Sequence, residues 1–114
     1  MSFLNALFGE KSKSTDEIQI LDLTTFKEAI SIEKTQLVDV RTKLEYNAGH
    51  IENAVNIDFF DRSNFTENFA NFNREQPIYL YCRSGNRSQR TAKKLVQIGF
   101  KKIYDLKGGY KAWE

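Results

Sequence analysis

The sequence predicts a three-layer α/β domain, in which a five-stranded, mainly parallel sheet carries helices on both faces. Five short apolar runs alternate with segments of helical pattern. Strands separated by helices pair in parallel through right-handed crossovers, and both faces of such a sheet are covered. A chain of 114 residues can build one modest core but not two, so these elements belong to a single domain.

The strands are predicted from apolar runs bounded by turn or helix signals. Pro77 interrupts the chain just before the fourth run, Ile-Tyr-Leu-Tyr. The five predicted strands cover residues 18–21, 36–40, 55–57, 78–81 and 103–106.

Two predicted helices begin at capping signals. Thr25-x-x-Glu28 and Thr42-x-x-Glu45 have the spacing of a capping box, in which each side chain bonds the backbone N–H of the other residue. These boxes predict one helix from Thr25 to about residue 32 and another over residues 43–48.

Three further helices are predicted from periodicity. Phe65, Phe69 and Phe72 share one face of a helix over residues 63–72, a pattern typical of a core-facing helix and not of a cofactor contact. Gly99 is a C-terminal stop signal. The other two helices cover residues 88–98 and 110–113, the last one after a Gly108-Gly109 turn.

The first 17 residues are predicted to lie outside the domain of residues 18–114. Residues 1–9 place four apolar side chains on one helical stripe, and residues 10–17 are a polar linker. The segment lacks the basic start and cleavage site of a signal peptide. We expect so short a helix to pack on its own domain, and a membrane-surface or partner-docking helix is the alternative.

Cysteine content and hydropathy exclude several classes of protein. Cys82 is the only cysteine, which excludes an internal disulfide and an all-cysteine metal site, so a reducing, cytoplasmic location is expected. No apolar run approaches the length of a membrane span.

Charge is distributed unevenly along the chain. Residues 1–81 contain 8 Lys and Arg against 13 Asp and Glu, a net charge of −5, whereas residues 82–114 contain 9 against 2, a net charge of +7. The basic half carries the cysteine, and its field would draw small anions toward Cys82. A nucleic-acid surface is the rival explanation, but the predicted helix over residues 88–98 lacks the interleaved aromatic residues of a single-strand binder.

The segment from Cys82 to Ser88 joins a buried strand to a helix. Backbone N–H groups and the positive end of the helix dipole converge there, and Arg83 and Arg87 add positive charge, so a thiolate at Cys82 should be stabilised. Gly85 tolerates the positive φ that such a tight turn requires. Ser84, Asn86 and Ser88 complete what the pattern predicts to be an anion-binding loop with a nucleophile at its base.

A lone cysteine after an apolar strand is often only a small buried hydrophobe. The loop favours the functional interpretation. A cysteine followed by glycine at the third and arginine at the fifth later position, between a strand and a helix, has little structural purpose that serine or alanine could not serve.

Arg41 and His50 are secondary candidates. Arg41 follows the strand over residues 36–40 at the functional edge of the sheet, where it could line a pocket. We expect it chiefly to form an ion pair with Glu45, four residues away. His50, the only histidine, is predicted to bond backbone in a turn, and a general-base role would require it to reach Cys82.

Five short motifs together resemble the single-domain rhodaneses from about residue 18 to the C-terminus. Their sequence is Asp39-Val40-Arg41, then Glu45-Tyr46, then Gly49-His50-Ile51-x-x-Ala54-x-Asn56-Ile57, then Cys-x-x-Gly-x-Arg at residues 82–87 and Leu106-x-Gly108-Gly109-Tyr110-x-Ala112-Trp113 at the end. The resemblance implies a rhodanese-like fold with a five-stranded central sheet and the cysteine strand inside it. It also implies thiosulfate sulfurtransferase activity.

For this chain the resemblance implies that Cys82 takes a sulfane sulfur from thiosulfate or a similar small anionic donor. The resulting persulfide would pass the sulfur to a thiol or to cyanide. Residues 83–88 would bind the donor and the persulfide, and no metal or organic cofactor is implied.

Two alternatives remain from the residues themselves. Cysteine-loop phosphatases and arsenate reductases use the same strand, loop and helix, but with five residues between cysteine and arginine; here four residues separate Cys82 from Arg87. A shorter loop suits a single sulfur atom better than a tetrahedral oxyanion. The other alternative is a persulfide carrier or regulatory binding module that lacks catalysis of its own.

Overall fold

A computed structural model describes residues 17–32 and 34–114. The predicted helix over residues 1–9 and residues 10–16 of the predicted linker lie outside this part of the chain. No helix within the described residues is long and apolar enough to cross a membrane. The elements in chain order are β1 (Ile18–Leu21), α1 (Leu23–Ile32), β2 (Gln36–Asp39), α2 (Lys43–Ala48), β3 (Val55–Asn56), α3 (Phe65–Asn68), β4 (Ile78–Tyr81), α4 (Asn86–Gln97), β5 (Ile103–Leu106) and α5 (Gly109–Trp113).

The five strands form one sheet in the order β1-β5-β4-β2-β3, and every described strand pair is parallel. The predicted fold class is therefore confirmed. β4 lies at the centre of the sheet, where Leu80 is in register with Val38 on β2 and Asp105 on β5. The residue after β4 consequently leaves the middle of the sheet at its carboxyl edge.

Apolar side chains cover the sheet on both faces. Leu80 and Cys82 point to one face, where they pack with Ala92 and Leu95 of α4 and with Phe69. The opposite face holds a second cluster under α1, α2 and α5; its buried members are Phe26, Leu37, Ile51, Ala54, Tyr81 and Leu106. Each face of the sheet is therefore buried, as a parallel sheet requires.

Two helix starts differ from the sequence prediction. α1 begins at Leu23 and not at Thr25, because the Asp22 carboxylate accepts a hydrogen bond from the Thr25 backbone N–H at 2.9 Å and caps the first turn. The box Thr25-x-x-Glu28 therefore does not open this helix. α4 begins at Asn86, two residues before the predicted start.

The predicted helix over residues 63–72 is largely wrong. Only Phe65–Asn68 is helical, and the chain continues through turns. Asn64 makes no capping hydrogen bond with its side chain, and the Thr- and Asn-rich sequence has low helix propensity. Phe65, Phe69 and Phe72 still pack together in the core, with successive ring centroids 4.9 and 5.8 Å apart.

Candidate active-site loop

Cys82 immediately follows β4, the central strand, and is 1% exposed. Its Sγ accepts a hydrogen bond from the Gly85 backbone N–H at 3.0 Å and lies 3.3 Å from the Ser88 hydroxyl oxygen. The loop thus turns back on itself and places one backbone N–H donor and one hydroxyl group against the sulfur. Donors of this kind stabilise a sulfur anion.

The first turn of α4 forms the upper part of this loop. Gly85 precedes the helix with φ of +112°, a conformation that L side chains rarely adopt. This turn directs the helix N-terminus, with its free N–H groups and positive dipole end, toward Cys82. The Ser88 hydroxyl also donates to the Gly85 carbonyl at 3.2 Å, which holds the turn closed.

α5 supports the loop from its other side. The Tyr110 N–H donates to the Cys82 carbonyl at 2.7 Å, and the Lys111 N–H donates to the Arg83 carbonyl at 3.1 Å. Gly109 makes this approach possible, because a Cβ on that residue would lie 2.5 Å from the Cys82 carbonyl oxygen. The C-terminal Gly-Gly motif is therefore a support for the cysteine loop.

Arg87 is held by α2. Its guanidinium makes two hydrogen bonds to the Glu45 carboxylate, at 2.9 and 3.1 Å. Hydrogen bonding to Glu45 raises the pKa of Arg87, and the charge of Cys82 makes a smaller contribution in the same direction. Glu45 therefore fixes the positive charge of Arg87 in the first turn of α4, at the end of the cysteine loop.

The predicted Arg41–Glu45 ion pair is wrong. Arg41 is buried and binds Asp39, with an Nη2–Oδ2 distance of 2.7 Å, and the same nitrogen donates to the Gly49 carbonyl at 2.6 Å. Glu45 is therefore available to pair with Arg87. The charge of the buried Arg41 is paired with the carboxylate of Asp39 on the preceding strand. Arg41 lines a cavity beside the loop.

That cavity has a volume of about 220 Å³. Arg41, Arg83, Tyr110 and Lys111 are among its lining residues, together with the carboxylates of Glu45 and Glu114. Arg83 is exposed and forms no ion pair with any other described residue. It is the loop cation whose charge remains available to a ligand.

The other loop side chains differ in exposure. Ser84 and Asn86 are exposed, whereas Ser88 is fully buried against the sulfur. His50 is exposed, stacks on Tyr46 and has its Nδ1 atom 2.9 Å from the Tyr46 carbonyl. The prediction that this histidine bonds backbone is confirmed.

Comparison with known proteins identifies the family. The model of the rhodanese-like domain matches residues 22–114. The chain belongs to the rhodanese-like family. Its curated relatives include the thiosulfate sulfurtransferase GlpE of Shewanella oneidensis, which is 33% identical over 104 residues, 88% of this chain and 93% of that protein.

Other proteins are similar to a smaller part of this sequence. The uncharacterized protein YqhL of Bacillus subtilis is 41% identical over 80 residues, which cover 70% of this chain and 61% of that protein. Among solved structures, a rhodanese-like domain protein from Staphylococcus aureus superposes with a TM-score of 0.74 at 29% identity, covering 84% of this chain and 91% of that one. The human single-domain sulfurtransferase TSTD1, with a TM-score of 0.70 and 20% identity over 82% of this chain and 93% of its own, shares the fold.

Sequence reasoning missed one buried group beside the rhodanese-like loop. Asp105 on β5 is 1% exposed and accepts a hydrogen bond from the Gln89 side chain at 2.6 Å. Its position within the apolar run Ile-Tyr-Asp-Leu was the available signal, since a charged residue inside a strand of a fully covered sheet must be buried.

Proposed function

We propose that this protein is a thiosulfate sulfurtransferase in which Cys82 carries the transferred sulfur. The observation that supports this most strongly is the 3.0 Å hydrogen bond from the Gly85 N–H to the Cys82 sulfur at the N-terminus of α4. Membership of the rhodanese-like family and the similarity to proteins named thiosulfate sulfurtransferase support the same assignment.

In the first half-reaction the Cys82 thiolate attacks the outer sulfur of thiosulfate. A new sulfur–sulfur bond forms on Cys82, the bond between the two donor sulfurs breaks, and its electron pair leaves with sulfite. The negative charge that remains on the terminal persulfide sulfur would be stabilised by the loop N–H groups and the helix dipole.

In the second half-reaction a thiolate or cyanide attacks the terminal sulfur. The bond between that sulfur and Cys82 breaks, and its electron pair returns to Cys82 as the thiolate. Two such displacements on one nucleophile predict ping-pong kinetics.

The arginines have different roles in this scheme. Arg87 is tied to Glu45, so it would hold the loop and add positive potential at the sulfur. Arg83 is exposed beside the cavity and would attract the sulfonate end of the donor.

Intact mass spectrometry after incubation with thiosulfate tests the assignment directly. We expect the protein to gain the mass of one sulfur atom, and a reducing thiol should remove it. Cys82→Ser is the matched control, because its hydroxyl is similar in size but far too weakly acidic to be ionised near neutral pH.

An adduct on the wild-type protein, together with turnover of thiosulfate and cyanide, would support the assignment of sulfurtransferase activity. No adduct would favour a carrier that needs a partner to load it. Efficient hydrolysis of an aryl phosphate by the wild-type protein would instead favour the phosphatase alternative.

A further inference from the structure

Phe60 is an aromatic residue that the fold leaves exposed in a turn. Its side chain is 60% exposed, and no other aromatic residue in the described part of the chain is as open to solvent. The Phe60 N–H donates to the Asp58 carboxylate at 2.9 Å, and the Asp61 N–H donates to the Asp58 carbonyl at 3.0 Å. These bonds close a tight turn that holds the ring at the surface. Core packing therefore does not explain an aromatic residue at this position.

The turn lies at the carboxyl edge of the sheet, close to the cysteine loop. The Phe59 N–H donates to the Val40 carbonyl at 3.2 Å, and the Val40 N–H donates to the carbonyl of Tyr81, the last residue of β4, at 3.0 Å. Two such backbone spacings place Phe59 about 10 Å from the end of β4, where the cysteine loop begins. The Arg87 guanidinium carbon is 6.0 Å from the centre of the Phe60 ring, so this ring also borders the first turn of α4.

Arginines surround the two phenylalanine rings. Phe59 and Phe60 meet edge to face with their ring centres 5.2 Å apart. The guanidinium carbons of Arg62 and Arg90 lie 5.1 and 5.6 Å from the centre of the Phe59 ring. Both arginines are exposed, and neither forms an ion pair with another described residue. These four residues, Phe59, Phe60, Arg62 and Arg90, form the Phe–Arg surface.

The carboxylates closest in sequence to this surface bind groups of their own turn. The Asp58 carboxylate accepts the Phe60 N–H, and the Asp61 carboxylate accepts the side-chain amides of Asn64 and Asn68 at 3.2 and 3.1 Å. α4 adds positive charge, since it contains four basic residues and no acidic one. The arginines of the Phe–Arg surface therefore keep their N–H groups available to a partner.

The geometry favours carboxylates over nucleic-acid bases as the ligand of this surface. A nucleic-acid strand stacks its bases on free aromatic faces, whereas guanidinium groups already lie over the rings of Phe59 and Phe60. A guanidinium stacked on a ring still directs its N–H groups outward in its own plane, where a carboxylate can accept two of them. Residues 1–16 contain two acidic and two basic side chains, so that part of the chain offers no excess of carboxylates.

We propose that the Phe–Arg surface docks an acidic protein that accepts the sulfur carried by Cys82. The inference rests on the proposed function, since it names the acceptor class of the same reaction. An apolar side chain of the partner packs on Phe60, and its carboxylates bind Arg62 and Arg90. The docked segment lies next to the cysteine loop, so a cysteine of the partner is brought to the persulfide.

The transfer step balances as it does for a small thiol. The thiolate of the partner forms a bond to the terminal persulfide sulfur, and the bond from that sulfur to Cys82 breaks. Its electron pair returns to Cys82 as the thiolate, and the persulfide is now on the partner. Docking changes only how the acceptor reaches the loop.

Binding is tested with two fluorescent peptides that differ only in charge. In the first, glutamates flank a leucine and a serine, and in the second, glutamines replace the glutamates. Fluorescence anisotropy should show tighter binding of the glutamate peptide to the wild-type protein. Arg90→Ala should weaken that binding roughly three- to five-fold, the scale of an exposed ion pair. Phe60→Ala should weaken binding of both peptides, because the leucine loses its apolar contact.

Arg74→Ala and Ile32→Ala are the matched controls. Both residues are exposed and lie near the amino edge of the sheet, away from the Phe–Arg surface. These variants should bind both peptides as the wild type does. Equal affinity of the wild type for the two peptides, or unchanged affinities in Arg90→Ala and Phe60→Ala, would overturn the proposal.

Two other occupants of the surface have distinct signatures. Tighter binding of a single-stranded RNA than of the glutamate peptide, lost in Arg90→Ala and Phe60→Ala, would assign the surface to nucleic acid. Self-association of the wild type that Phe60→Ala abolishes would assign it to a second copy of this chain. Either result would overturn the proposal of an acidic protein acceptor.

A single-turnover measurement separates docking from catalysis. Protein loaded with sulfur from thiosulfate is mixed with the same peptides, now carrying cysteine in place of serine. Arg90→Ala should transfer sulfur to the glutamate peptide more slowly than the wild type does, but to the glutamine peptide at the same rate. Its turnover of thiosulfate and cyanide should match that of the wild type, and equal transfer to the glutamate peptide would contradict docking. The anisotropy assay needs no sulfur on Cys82, so failure of docking and failure of sulfur transfer are observed separately.

Discussion

Arg87 and Glu45 form a bidentate ion pair that joins the first turn of α4 to α2, with nitrogen–oxygen distances of 2.9 and 3.1 Å. The same carboxylate accepts the Thr42 backbone N–H at 2.9 Å and so completes the capping box of α2. One side chain therefore stabilises a helix start and holds the arginine of the cysteine loop.

Glu45→Gln should separate these two roles. Glutamine can still accept the capping-box hydrogen bond, but it loses the charge that binds Arg87. We expect a loss of about 1 kcal/mol in the free energy of unfolding near neutral pH, a modest value because both side chains are partly exposed. Glu28→Gln, an exposed change of the same chemistry on α1, is the control.

The pH dependence of this loss has a definite sign. Hydrogen bonds from Arg87 lower the pKa of Glu45 from 4.5 to about 2 in the folded protein. The pair therefore stabilises the fold fully above pH 4.5, and this contribution disappears as the pH falls toward 2. Denaturation across a pH series should show the wild-type advantage over Glu45→Gln shrinking in that window, and a constant difference would contradict the assignment.

Interactions between residues close in sequence could be predicted, whereas those between distant residues could not. The partners of the Thr42–Glu45 capping box are only three positions apart and the Cys82 loop is also local, so both were recognisable as patterns. Two arginines were possible partners for Glu45. Helix spacing alone wrongly favoured Arg41, because the actual partner, Arg87, is 42 residues away in the sequence. The bond between Asp105 and Gln89 likewise depends on how α4 lies on β5.

Gly85 and Gly109 should respond differently to alanine. At Gly85 an added Cβ meets no atom within 4 Å, so the cost comes from its φ of +112° and should be about 1–2 kcal/mol. At Gly109 the Cβ would lie 2.5 Å from the Cys82 carbonyl oxygen, which must displace α5 from the loop. We expect Gly109→Ala to cost more stability than Gly85→Ala and to reduce sulfur transfer more. Similar denaturation midpoints for the two variants would show that α5 does not support the loop as described.

Asp105→Asn should also change how stability depends on pH. Burial raises the pKa of Asp105 from 3.8 to about 6, so the folded state disfavours the ionised carboxylate. Wild-type stability attributable to this group is complete below pH 3.8 and is lost as the pH rises through about 6. Relative to the wild type, Asp105→Asn should gain about 2–3 kcal/mol between those limits. Urea denaturation at both ends of the range checks this, and parallel pH curves for the two proteins would exclude it.

Arg83→Ala tests whether an exposed loop cation acts on the donor by charge. Arg83 lines the cavity beside the cysteine loop and is unpaired among the described residues, so its removal should leave the loop geometry intact. We expect KM for thiosulfate to rise roughly two- to five-fold, the scale of an exposed charge interaction, with kcat nearly unchanged. Salt weakens the wild-type attraction but cannot weaken a contact that has been deleted, so KM of the variant should depend less on ionic strength.

Lys101→Ala is the matched control, because it removes one positive charge near the amino end of β5, at the opposite edge of the sheet. Its KM and salt dependence should follow those of the wild type. Equal salt slopes for Arg83→Ala and the wild type, or a loss confined to kcat, would mean that Arg83 shapes the loop and does not attract the donor.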